Sequence, residues 1–142
     1  MSWFPKRTVV VPVDFSEDSF AAVEVALAVA ATPDGVRIIH VLPEPAMLEP
    51  GIEWQQIDNE LRSQRAEDAI RQRLVDPKYA PVQIDIDFGD PGYRIAHFAQ
   101  DISADLIVIP SHGRTGLGRI LLGSVTERVV RLSHCPVLVL RK

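Results

Sequence analysis

The stretch TVVVPVDFSEDS, Thr8 to Ser19, decides the fold. Its first half is short, β-branched and continuously apolar, the composition of a strand buried on both faces. At Asp14 the character changes. Ser16 is a helix N-cap candidate, and Glu17 and Asp18 put negative charge in the first turn, where the helix dipole favours it. The pattern continues as SEDSFAAVEVALAVAA, in which Phe20, Val23, Leu27 and Ala30 recur at helical spacing and form the expected core face. A buried strand running directly into a helix is the opening unit of a parallel α/β sheet.

The rest of the chain repeats that alternation. After the turn residues TPDG, VRIIHVL (Val36 to Leu42) reads as a second strand. PEPAMLEPGIEWQQ, residues 43–56, carries three prolines and a glycine and reads as a loop, either a lid or a plain connection. Ile57, Leu61, Ala66, Ala69, Ile70 and Leu74 mark an amphipathic helix. VQIDIDF (Val82 to Phe88) alternates apolar and polar, as a strand at a sheet edge does. GDPGYRIAHFAQDISA turns and then runs helical, with Ile95, Ala96, Ala99 and Ile102 inward. DLIVIP (Asp105 to Pro110) is a central strand, SVTERVVRLS a short helix and CPVLVLR the last strand. No repeat, low-complexity tract or linker divides the chain. The expectation is one domain over 1–142: an open, parallel, five-stranded sheet with helices on both faces and right-handed crossovers.

The 142 residues, 46% hydrophobic and 24% charged, suit one soluble domain with a genuine core. A net charge of −4 argues against a general nucleic-acid or acidic-membrane binder. The start has no apolar segment followed by a small-residue cleavage site. AAVEVALAVAA falls far short of the roughly 20 residues that span a bilayer. The single cysteine, Cys135, has no internal disulfide partner. A cytoplasmic protein is the expectation.

Ligands of open α/β sheets sit beyond the carboxyl ends of the strands, where the strand order reverses. For an order of 3-2-1-4-5 that point lies between the first and fourth strands, closed by Asp14 and by Pro110-Ser111-His112-Gly113. Ser124 opens the helix that follows, where unpaired backbone N–H groups and the dipole welcome an anion. Arg114 and Arg119 add fork-shaped donors for phosphate, although Arg119 reads equally as a solvated loop residue. Gly123 permits close backbone approach; Gly116 and Gly118 read as loosening the loop. Each residue also has a plainer reading. Ser124-Val125-Thr126-Glu127 is an S-x-x-E capping box, and Asp14 is an ordinary turn residue. His112 has no serine–acid pair around it, so no catalytic residue is assigned. GLGRIL lacks the third glycine of a dinucleotide fingerprint, and the turn after the first strand is DFSEDS, which disfavours classical NAD binding.

Three stretches together, VVVPVDFSEDSFAAVEVALAVA, GDPGYRIAHFAQDISADLIVIPSHGRTGL and LLGSVTERVVRLSHCPVLVL, resemble the universal stress protein family over nearly the whole chain. Its ATP-binding branch carries G-x2-G-x9-G-[ST]; Gly113 and Gly123-Ser124 match, while Pro110 replaces the first glycine. Proline fixes φ and removes an N–H, which weakens or shifts any contact that this glycine makes. The resemblance implies a Rossmann-like fold of the adenine nucleotide alpha hydrolase type. It implies ATP, ADP or AMP as ligand, with Mg2+ or Mn2+ bridging phosphates and Asp14 within reach of that ion. Pro12, Asp14 and Val41 would surround adenine and ribose; Gly113, Arg114, Gly123, Ser124, Val125 and Thr126 would line the phosphates. It further implies a homodimer through Pro136 to Leu140, an apolar edge that needs cover, with Cys135 near the seam or simply buried. The function expected is a regulatory nucleotide-binding module of the stress response. The alternatives are a nucleotide-free interaction protein of the same fold, a slow ATPase, or a binder of another adenylate such as a cyclic nucleotide.

Overall fold

β1 (Val9–Pro12) is the middle strand of a five-stranded sheet ordered β3-β2-β1-β4-β5, and every neighbouring pair is parallel. This is the expected order. The computed structural model describes residues 3–44, 52–112 and 122–141, and only the backbone of 52–57. The other strands are β2 (Val36–Leu42), β3 (Gln83–Phe88), β4 (Leu106–Pro110) and β5 (Val137–Leu140). The helices between them are α1 (Glu17–Val29), α2 (Ile52–Arg73), α3 (Pro91–Asp101) and α4 (Ser124–Leu132).

The apolar run of β1 is buried on both faces because successive side chains serve different layers. Val9 and Val11 join Ile38, Leu106 and Val108 beneath α1 and α2; Val10 joins Ile39, Ile107 and Ile109 beneath α3 and α4. Val9, Val10 and Val11 have no exposed surface, so each contributes up to about 2 kcal/mol of hydrophobic stabilisation.

Ser16 caps α1, accepting from the Ser19 N–H. The helix meets the sheet with Ser19, Ala22, Val23 and Ala26, while Phe20 and Leu27 pack only half-buried at its flanks and Ala30 is the C-cap. Small residues at the centre let the helix lie close to the sheet. Of the four residues that periodicity selected, Val23 and Ala30 are buried and Phe20 and Leu27 half-buried, while Ser19, Ala22 and Ala26 were not selected. α2 starts at Ile52, inside the segment expected to be loop: after Gly51 no proline interrupts a run of helix-compatible residues. Ala66, Ile70 and Leu74 are buried, but Leu61 is exposed and the Ile57 side chain lies outside the described residues. A 22-residue helix is about 33 Å long, against about 20 Å for a six-residue strand. Its first half therefore has less sheet to pack on.

β3 and β5 are the edges. On β3, Ile84 and Ile86 pack inward, whereas Asp85 forms a 3.0 Å ion pair with Arg37 of β2. Asp105, expected in β4, precedes it and ties the sheet together, its Oδ2 accepting from the N–H groups of Arg7 and Thr8. Gly92 sets the distance between α3 and α4: a Cβ there would stand 2.7 Å from the Arg128 Cβ.

Candidate functional site

Two prolines open the sheet at its carboxyl edge. β1 ends at Pro12 and β4 at Pro110, and neither has an N–H to extend a ladder. Pairing between these neighbours is confined to Val9 with Leu106 and Val10 with Ile107. Beyond it lies a cleft of about 300 Å³, at the point where the strand order reverses. Pro12 lines it from β1 and Val13 and Asp14 from the turn that follows, Ile39 to Val41 from β2, Pro110 from β4 and His112 from just beyond it, and Gly123 to Thr126 from the N-cap and first turn of α4. A broader depression of about 780 Å³ lies at the amino edge, beside Lys6, Asp105 and Cys135. It is larger, but it sits away from the strand ends where sheets of this kind bind ligands. The half-buried Cys135 belongs there, its N–H donating to Ser133 Oγ at 3.1 Å.

The β1–α1 turn is locked in place. Asp14, expected to close the strand, lies beyond it; its Oδ1 accepts from the Ser16 N–H at 3.0 Å and the Ser16 hydroxyl at 2.5 Å. Between them Phe15 adopts φ 68, a left-handed conformation that is rare for a bulky residue and collects at functional sites. His40 supports the turn from β2. Its Nδ1–H donates to the Val13 carbonyl at 2.5 Å, and its ring meets Phe15 edge-on at 4.9 Å. The sequence reading missed both Phe15 and His40. A histidine one position before Val41, in the apolar second half of the strand, was the available signal.

The opposite wall is tied as firmly. Ser111 donates its N–H to the Leu140 carbonyl at 2.8 Å and accepts from the Gly123 N–H at 2.8 Å. The Thr126 hydroxyl, buried, donates to the Pro110 carbonyl at 2.7 Å. The capping box is not formed. Gly123 is the N-cap of α4, Ser124 is the first helical residue, and Glu127 pairs with Arg131 instead. Gly123 has φ −60 and ψ 156, which any residue adopts, so its glycine identity is not a backbone requirement. The N–H groups of Ser124, Val125 and Thr126 open the helix without intrahelical acceptors. Gly113, Arg114, Gly116, Gly118 and Arg119 lie outside the described residues. Among the described residues no three His, Cys, Asp or Glu side chains gather as metal ligands, and no helix is long and apolar enough to cross a membrane.

Residues 6–141 match the model of the universal stress protein family. The chain belongs to that family. A universal stress protein of Methanocaldococcus jannaschii is 34% identical over 142 residues, spanning 96% of this chain and 82% of the relative. The solved structure of universal stress protein UspA from Lactobacillus plantarum superposes with a TM-score of 0.73 at 28% identity, covering 95% of this chain and 97% of that one. A universal stress protein solved in complex with cAMP shares the fold, with a TM-score of 0.69 at 23% identity over 96% of this chain and 97% of that one. In this universal stress protein, Pro12, Asp14, Val41, Gly123, Ser124, Val125 and Thr126, drawn from β1 and the turn after it, β2 and the start of α4, meet around one cleft.

Proposed function

We propose that the chain is a regulatory adenine-nucleotide-binding module, acting in the cytoplasm as a homodimer. The observation that carries this reading is the convergence of Pro12, Asp14 and Val41 with the start of α4 on one cleft. Its volume suits a nucleoside-sized group, at the lower end of ligand pockets. Apolar Pro12 and Val41 suit an adenine ring. The Asp14 carboxylate, an acceptor only, suits ribose hydroxyls. The first amides of α4 and the positive end of its dipole suit phosphate, and by resemblance Gly113 and Arg114 complete that end. ATP, ADP or AMP is the ligand, with Mg2+ or Mn2+ carried on the phosphates within reach of Asp14. The cAMP complex of a protein with this fold supports an adenylate in the cleft. No residue is assigned to catalysis. Phosphoryl transfer needs metal ligands and a group that positions the nucleophile, so hydrolysis, where it occurs, is slow.

A second reading, a nucleotide-free interaction protein, is favoured by Pro110, which lacks the N–H that a glycine would offer at the end of β4. Mass spectrometry of ligand released from freshly purified protein, followed by calorimetry with ATP, ADP and AMP in magnesium, separates the two. Nucleotide in the preparation and a measurable Kd support the first; neither, and the second stands. Gly123→Val places a branched side chain where the phosphate would approach. It abolishes nucleotide binding while the circular dichroism spectrum stays native. Unchanged affinity would refute the placement.

A further inference from the structure

Among the described residues, one buried side-chain polar atom at the cleft has no partner. His112 lies just beyond β4 and lines the cleft, and its Nε2 is shielded from solvent with no hydrogen-bond partner among the described residues. Leaving such a group unpaired costs about 1–3 kcal/mol of stability. Folding does not retain such a cost without a return elsewhere.

The other ring nitrogen fixes what Nε2 offers. Ser111 is 8% exposed, and its hydroxyl lies 3.1 Å from His112 Nδ1. With the Ser111 hydroxyl as the donor of that contact, Nδ1 accepts and the neutral imidazole carries its proton on Nε2. In that tautomer the unpartnered atom is a donor, and its missing partner is an acceptor. The surroundings select an anionic one. The first N–H groups of α4 line the same cleft with the positive end of the helix dipole, and the Gly123 N–H is already committed to the Ser111 carbonyl.

We propose that His112 is a specificity residue that touches the ligand, its Nε2–H donating to a phosphoryl oxygen and so selecting phosphorylated over unphosphorylated adenosine. This rests on the adenine-nucleotide reading of the cleft. Since Gly123 does not supply its amide, His112 supplies the side-chain donor that supplements the amides of Ser124 to Thr126.

Calorimetry with adenosine, AMP and Mg-ATP on the wild type, His112→Ala and His112→Gln tests it. Loss of a hydrogen bond to a charged group weakens AMP and ATP by roughly tenfold or more in His112→Ala. Adenosine affinity stays within about twofold, and Gln, whose Nε2 is also a donor, recovers most of the loss. The wild-type titrations alone decide the adenine reading: if none of the three ligands binds, that reading fails, and this inference with it. If the wild type binds AMP and His112→Ala binds it equally well, the cleft reading stands and the role of His112 is overturned. An equal loss for adenosine and AMP also overturns it, by moving the contact to sugar or base. Nitrogen-15 spectra of wild-type protein labelled at histidine give a check that needs no variant. A protonated Nε2 in the free protein whose resonance shifts with AMP but not with adenosine is expected; an Nδ1–H tautomer sinks the proposal.

Discussion

Thr126 is where a ligand role and a structural role compete for one hydroxyl. The resemblance to the family puts Thr126 at the phosphates, yet its Oγ1 is buried and donates to the carbonyl of Pro110. Proline at position 110 removes a donor but keeps an acceptor, and Thr126 uses that acceptor to pin α4 to the end of β4. Thr126→Val keeps the shape and removes the proton, leaving the carbonyl buried and unpaired. Denaturant unfolding should show a loss of about 1–3 kcal/mol, with little change in nucleotide affinity. A collapse of affinity at unchanged stability would return the hydroxyl to the ligand. The sequence placed Thr126 at the site only through the family resemblance. It had no means of seeing that a residue 16 positions earlier takes its hydrogen bond.

α3 and α4 are coupled at the element scale by one carboxylate. Asp90 is the N-cap of α3, accepting from the Tyr93 N–H at 2.9 Å, and it also pairs with Arg128 of α4 at 2.8 Å. The Tyr93 N–H, and then the Arg128 guanidinium, hold its carboxyl below the ordinary value of 3.8. A lowered native pKa means that the folded state binds the proton more weakly than the unfolded chain. The contribution is therefore complete above 3.8 and is lost as pH falls through the lowered native value. Asp90→Ala should cost about 0.5–2 kcal/mol at pH 7, the usual range for a lost N-cap. Thermal melts at decreasing pH should show the gap to wild type narrowing once the pH passes below 3.8. A gap that does not vary with pH would assign the effect to helix propensity alone. The elements themselves were largely legible, because caps, prolines and apolar runs are local. The start of α2 was not: three prolines made residues 43–56 read as one loop, yet the helical pattern resumes immediately after Gly51.

The whole molecule ends in an open edge. The Ile107 N–H donates to the Pro136 carbonyl and the Ser111 N–H to the Leu140 carbonyl, so alternate residues of β5 face β4. Val137 and Val139 therefore direct their backbone groups outward, and no strand among the described residues covers them. The proposed homodimer would use these groups. Val139→Pro removes one outward N–H without taking a donor from the β4 ladder. Sedimentation should find the wild type dimeric and this variant monomeric. A variant that remains dimeric would place the interface on another surface.

By itself the sequence determined the class and order of the elements. Buried parallel strands must be continuously apolar and helices must start at caps, and both signatures are written in neighbouring residues. It also carried a family resemblance that assigned Pro12, Asp14, Val41 and Gly123 to one site. Only the tertiary structure decided what those residues have free to offer. Hydrogen bonds between residues far apart in the chain engage Thr126, commit the Gly123 amide and turn His40 toward the Val13 carbonyl, and packing around the cleft leaves His112 Nε2 unsatisfied. Such pairings depend on distances between strand ends, and these exist only once the sheet has closed around its two cores.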